Sequence, residues 1–131
     1  MIKNPKPHIF LVDDEPKIRE VVSEILKELD FQITCFTCAT DCIPQLNFKN
    51  CDLLITDVKM PGMDGLELLK EIRRSAPWLP VLIITGYADI PMAVKAVKAG
   101  AEDFIEKPLD KKSFVQKVKS VLQQSTITDS S

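Results

Sequence analysis

A chain of 131 residues, 45% hydrophobic and 27% charged, has the size and composition of one globular domain and leaves no room for a second catalytic one. Seventeen Lys and Arg against nineteen Asp and Glu give a net charge of -2, which argues against direct nucleic-acid binding by this segment, because phosphate contacts need clustered cations. No apolar run approaches the roughly 20 residues of a membrane span, and residues 1–7 lack the apolar stretch of a secretory signal, so a cytoplasmic protein without membrane contact is expected.

After that short N-terminal lead, His8-Ile9-Phe10-Leu11-Val12 is a compact apolar run that stops at Asp13-Asp14-Glu15. A strand buried on both faces reads this way. Pro16 suits a first helical turn. Beyond it Ile18, Val21, Val22, Ile25, Leu26 and Leu29 line one helical face, with Lys17, Glu20, Glu24 and Lys27 largely on the other. Gln32 to Phe36 reads as a second strand. Residues 39–48 read as a poorer helix, since Pro44 lacks an amide donor and crowds the preceding turn.

A third strand is expected over Asp52 to Thr56, ended by Asp57. The turn Met60-Pro61-Gly62-Met63-Asp64-Gly65 leads into a helix with Leu66, Leu69 and Ile72 on one face. Pro80 to Thr85 reads as the fourth strand. Ile90 to Ala99 reads as an Ala-rich helix closed by Gly100, and Asp103 to Glu106 as a short fifth strand. The last helix is expected from Asp110 to about Gln124, with Phe114, Val118, Val121 and Leu122 inward, and residues 125–131 as a polar tail or the start of a linker. One domain over 8–124 follows, of α/β class: a five-stranded parallel sheet, doubly wound by five helices, in the flavodoxin-like order 2-1-3-4-5.

Cys35, Cys38, Cys42 and Cys51 pose a separate question. Cys35-x-x-Cys38 has the spacing of half a zinc site, but the single His, at position 8, supplies no second ligand pair. Reduced thiols acting as small apolar residues are the expectation.

In such a sheet, functional groups gather outside the carboxyl ends of the strands. Those ends deliver Asp13 and Asp14, Asp57, Thr85 and Lys107. Each alone is ordinary, as a helix cap, a turn residue or a solvated charge. Together, carboxylates that would repel one another, a hydroxyl and an ammonium form a site suited to phosphate, completed by a hard divalent ion, Mg2+ above all.

The segments Leu11 to Glu15, Ile55 to Gly65, Ile83 to Tyr87 and Gly100 to Pro108 resemble the receiver domain of two-component response regulators, and the likeness runs from about residue 7 to 124. The resemblance implies that Asp57 accepts a phosphoryl group from a sensor histidine kinase as an acyl phosphate. It implies that Asp14, Asp57 and the Lys59 carbonyl bind Mg2+ directly, with Asp13 acting through a water. It also implies that Thr85 and Lys107 hold the phosphoryl oxygens, that a cis peptide bond precedes Pro108, and that Phe104 is a switch aromatic turning inward as Thr85 moves. Many members carry Tyr there; without the hydroxyl, packing has to do the coupling. The face formed by the fourth helix, fifth strand and fifth helix, with Met92, Lys95, Lys98, Lys111 and Lys112, is the implied surface for partners or a homodimer, and transcription the implied output. Lys59 and Tyr87 flank the site where they would influence the lifetime of the acyl phosphate.

Three other readings compete. A dehalogenase-type hydrolase needs a second acid two residues after its nucleophile, where Lys59 stands. A nucleotide-binding domain needs a glycine-rich phosphate cradle after its first strand, where three acids stand. A receiver-like interaction module that is never phosphorylated would not need the complete acidic set.

Overall fold

The structure, a computed structural model, describes residues 6–46 and 50–130, with residues 125–130 as backbone only. Residues 1–5 of the lead, Phe48 at the expected end of the second helix, and Ser131 lie outside the described residues. In chain order the elements are β1 (His8–Val12), α1 (Pro16–Glu28), β2 (Gln32–Phe36), α2 (Ala39–Cys42), β3 (Leu53–Asp57), α3 (Gly65–Ser75), β4 (Val81–Thr85), α4 (Ile90–Lys98), β5 (Asp103–Glu106) and α5 (Lys111–Ser130), with 3-10 turns at Ile43–Gln45 and Tyr87–Asp89. The strands form one sheet in the order β2-β1-β3-β4-β5, and every pairing is parallel. This is the expected doubly wound fold. Among the described residues no helix is long and apolar enough to cross a membrane.

Alternation along the strands sorts the core into two layers. Phe10, Val12, Leu54 and Ile83 pack with Leu68, Leu69 and Ile72 of α3 and with Ala93 and Ala96 of α4. Ile9, Leu11, Leu53, Ile55, Leu82 and Ile84 pack with Val22, Ile25 and Leu26 of α1 and with Phe114, Val118 and Val121 of α5. All residues of β3 and β4 are buried, which explains the apolar runs Leu53–Ile55 and Val81–Ile84 that precede their polar carboxyl ends.

Apart from shifts of one residue at other element ends, three boundaries differ from the sequence expectation. The second helix has only four α-helical residues and continues as the 3-10 turn Ile43–Gln45, because Pro44 cannot donate the next α-helical bond. Strand β3 includes Asp57, which pairs with Ile84, while the Val58 amide donates to the Ile84 carbonyl at 2.9 Å. Helix α5 continues past Gln124 to Ser130, where no Pro or Gly interrupts the chain.

The β3–α3 turn is held in place by its first helical residues. Asp64 and Glu67 form a capping box: Asp64 Oδ1 accepts from the Glu67 amide at 2.8 Å, and Glu67 Oε1 accepts from the Asp64 amide at 3.0 Å. Gly65 lets α3 press directly against β3, since a Cβ there would lie 2.3 Å from the Asp57 carbonyl oxygen.

Candidate functional site

Because the strands are parallel, their carboxyl ends open on one edge, and the side chains of Asp13, Asp14, Asp57, Thr85 and Lys107 lie at that edge. Asp13, Asp57 and Thr85 are buried, whereas Asp14 is exposed. Asp13 Oδ1 accepts from the Glu15 amide at 2.9 Å, and Arg19 donates to the Asp13 carbonyl at 2.8 Å. Asp13 Oδ2 is buried with no hydrogen-bond partner; the Lys107 ammonium lies 3.8 Å from it. Burial, followed by the charge of Asp57, raises the pKa of Asp13 from 3.8 to about 6, against the lowering effects of the Glu15 amide and Lys107.

Asp57 is held from two sides. Its Oδ1 accepts from the Lys59 amide at 3.2 Å, and its Oδ2 accepts from Lys107 Nζ at 2.9 Å. Lys107 also donates to Glu15 Oε1. Burial works against the Lys107 charge, but hydrogen bonds to Glu15 and Asp57 and the nearby Asp13 charge outweigh it, and its pKa is raised. The Lys107 amide donates to the Thr85 carbonyl at 2.8 Å, which ties the β4 and β5 ends together. The Thr85 hydroxyl donates to the Gly86 carbonyl at 2.9 Å. The Lys107–Pro108 peptide bond is cis.

Phe104 is half-buried on β5, three residues before Lys107. Lys117 of α5 donates to its carbonyl at 2.7 Å, pairs with Asp103 at 3.2 Å and stands 5.8 Å from its ring centroid. At the mouth of the site, Lys59 Nζ and Asp89 Oδ1 are 4.0 Å apart, and Tyr87 is 80% exposed.

Asp13, Asp14 and Asp57 each offer one carboxylate oxygen, and these oxygens lie within 4.8 Å of one another. Three carboxylates offering hard oxygen donors, one of them Asp13 with a buried oxygen that has no hydrogen-bond partner, suit a hard divalent cation. Among the described residues this trio is the one group of three or more carboxylate, thiol or imidazole side chains placed to share an ion. The four cysteines are free thiols. Burial pushes the Cys42 and Cys51 thiols up to about 12, which keeps them as thiols at neutral pH in the metal-free domain.

The structure therefore brings Asp13, Asp14, Asp57 and Lys107 together, with Thr85 at the adjoining strand end. Sequence reasoning assigned no role to Glu15, whose side chain reaches Lys107 across 92 positions. Its one signal was being the third acid in the run that ends β1.

The charge arrangement carries a pH prediction. Asp13 binds its proton more tightly in the folded, metal-free domain than in the unfolded chain. Its contribution therefore favours folding most below about pH 4 and is lost as pH rises through about 6. The loss is on the order of 3 kcal/mol, and Asp13→Asn should flatten that part of the stability profile. Urea unfolding of metal-free protein across this range checks it; equal slopes in parent and variant would count against the assignment.

Comparison with known proteins places these residues in context. The response regulator receiver domain model matches residues 9–119. The chain is 38% identical over 123 residues to the transcriptional regulatory protein FixJ of Bradyrhizobium diazoefficiens, a match covering 92% of this chain and 58% of that protein. It is 40% identical over 110 residues to the C4-dicarboxylate transport transcriptional regulatory protein DctD of Rhizobium meliloti, covering 84% of this chain and 24% of that one. Thus it spans less than two-thirds of either relative. Among solved structures, full-length FixJ from B. japonicum superposes with a TM-score of 0.82 at 38% identity, covering 92% of this chain and 59% of that one. The receiver domain of NtrX from Brucella abortus superposes with a TM-score of 0.83 at 35% identity, covering 88% and 98%.

Proposed function

We propose, from the premise that this chain belongs to the response regulator receiver domain family, that Asp57 is its phospho-acceptor and a sensor histidine kinase its phosphodonor. The observation that carries this reading is a nearly buried Asp57 carboxylate hydrogen-bonded to Lys107 and sharing a small volume with the oxygens of Asp13 and Asp14. An Asp57 oxygen attacks phosphorus and an O–P bond forms as the N–P bond to the kinase imidazole breaks. The imidazole leaves with that electron pair and takes up a proton. Two anions must meet for this to happen, so the site has to offset their repulsion.

Lys107 is the chain's own contribution to that offset, already placed on Asp57. Asp13, Asp14, Asp57 and the Lys59 carbonyl would hold Mg2+, with Asp13 acting through a water. When bound, the ion would supply positive charge to the oxygens of the transferring group. The Thr85 hydroxyl leaves the Gly86 carbonyl for a phosphoryl oxygen, and Phe104 turns inward behind it, remodelling the α4–β5–α5 face. That face then serves partner binding or homodimerisation, and the output is transcription, through parts of the protein beyond this domain. The domain works in the cytoplasm and makes no nucleic-acid contact of its own, in keeping with its net charge of -2. Its bounds are residues 8–124, with residues 125–131 as a polar tail or the start of a linker.

Acetyl phosphate with Mg2+ should add one phosphoryl group to the protein, read by intact-mass measurement; no added mass would overturn the proposal. Lys107→Ala should remain folded but lose the response. In the parent the Phe104 ring resonances shift on phosphorylation, and in the variant they stay at their unphosphorylated positions. A variant with the parent's full shift would remove Lys107 from the relay.

A further inference from the structure

Glu15 occupies the N-cap position of α1, yet its side chain makes no cap bond with that helix. A short acid such as Asp there accepts from the first-turn amides, a bond the longer Glu15 side chain does not make. Here the carboxylate instead reaches Lys107, which follows β5. The Glu15 side chain is 53% exposed, against 7% for Asp57 and 0% for Asp13, the other two carboxylates around the same ammonium. Glu15 is also outside the trio of oxygens placed to share an ion.

An ammonium has three protons to donate. Lys107 donates to Glu15 and Asp57 and lies 3.8 Å from Asp13. Two of the three are in use, and the oxygens of a phosphoryl group on Asp57 compete with the existing partners for the same cation, a competition that a partner eases by giving way. Glu15 is the partner best able to do so, because its carboxylate is the most exposed and regains water when released.

We propose that Glu15 is a positioning residue for the phosphoryl site: its carboxylate holds Lys107 toward the mouth in the unphosphorylated domain and competes with the phosphoryl oxygens for that ammonium. Glu15 thereby limits how firmly the phosphorylated state is held. The inference rests on the phospho-acceptor reading of Asp57 and adds to it a competitor supplied by the β1–α1 turn. The backbone of Glu15 has a separate role, since its amide holds Asp13 Oδ1, so a side-chain substitution leaves that contact in place.

The test is calorimetric titration with beryllofluoride in the presence of Mg2+, a mimic of the phosphorylated carboxylate. Glu15→Gln should bind it about fivefold more tightly than the parent, the scale of a half-exposed ion pair. In a Lys107→Met background the same substitution should change nothing, because Glu15 acts through Lys107. Equal tightening in both backgrounds would reduce Glu15 to general charge repulsion, and no tightening in the parent background would also overturn the proposal. Urea unfolding of the metal-free parent, both single variants and the double variant supplies a readout independent of the ligand. The midpoint shifts should be non-additive, and additive shifts would sever the Glu15–Lys107 link, including where Lys107→Met binds too weakly to titrate. A parent that binds no beryllofluoride at all would instead sink the phospho-acceptor reading, and the unfolding cycle would still judge the link.

Discussion

Asp57→Asn should yield a folded domain that takes no phosphoryl group from acetyl phosphate, with labelling falling to the limit of detection. The amide retains an oxygen that can accept from Lys107, so the contact now made by Oδ2 at 2.9 Å has a neutral substitute. It has no anionic oxygen to attack phosphorus, and no other residue of the site can replace it in the same position. Asp13 is buried with Oδ1 already bonded to the Glu15 amide, and Asp14 is exposed without the Lys107 contact that Asp57 has. Loss of one of several crowded negative charges should also stabilise the metal-free domain. Intact mass read together with a urea midpoint separates these effects. A variant that still gains one phosphoryl group would move the acceptor to another residue.

Gly65→Ala should be the most damaging of the small glycine substitutions. Its Cβ would meet the Asp57 carbonyl oxygen at 2.3 Å and the Val58 Cα at 2.8 Å. Both obstacles are backbone atoms, at and just after the carboxyl end of the buried central strand β3, so no side chain can rotate away. Relief requires α3 to lift from the sheet, disturbing Leu68, Leu69 and Ile72 beneath it, at a cost of about 3 kcal/mol. Two controls calibrate this. Gly86→Ala meets nothing within 4 Å and should be nearly neutral. Gly62→Ala is also uncrowded but sits at φ +76, where a side chain costs about 1 kcal/mol. Urea midpoints should fall in the order Gly86→Ala, Gly62→Ala, Gly65→Ala; a Gly65 variant as stable as the Gly86 variant would refute the close approach. A lifted α3 would also displace the turn beside Asp57, so phosphoryl acceptance should fall together with stability.

The parts of the fold that could be read in advance are those where one-dimensional patterning and three-dimensional burial coincide. His8–Val12 and Gln32–Phe36 have the bounds expected, and β4 differs by one residue. Short apolar runs bounded by acids, turns or proline have few other solutions in a chain of this size. Helix α1 was legible because its apolar residues recur at helical spacing. The second helix was harder, since Pro44 signals trouble without saying whether the chain bends, stops or tightens into a 3-10 turn.

For the candidate site, strand-end position was enough to select Asp13, Asp14, Asp57, Thr85 and Lys107, because a parallel sheet sends all its carboxyl ends to one edge. The sequence by itself thus determined the α/β class, the strand order and the residues at that edge, through apolar periodicity and the few ways right-handed crossovers can join such strands. Only the tertiary structure decided that Glu15 turns from its own helix to Lys107, that Asp13 carries a buried oxygen without a hydrogen bond, and that Gly65 has a backbone carbonyl where its Cβ would be. Each of these depends on distances between segments far apart in the chain, and residue order encodes such distances only through the packing of the whole domain.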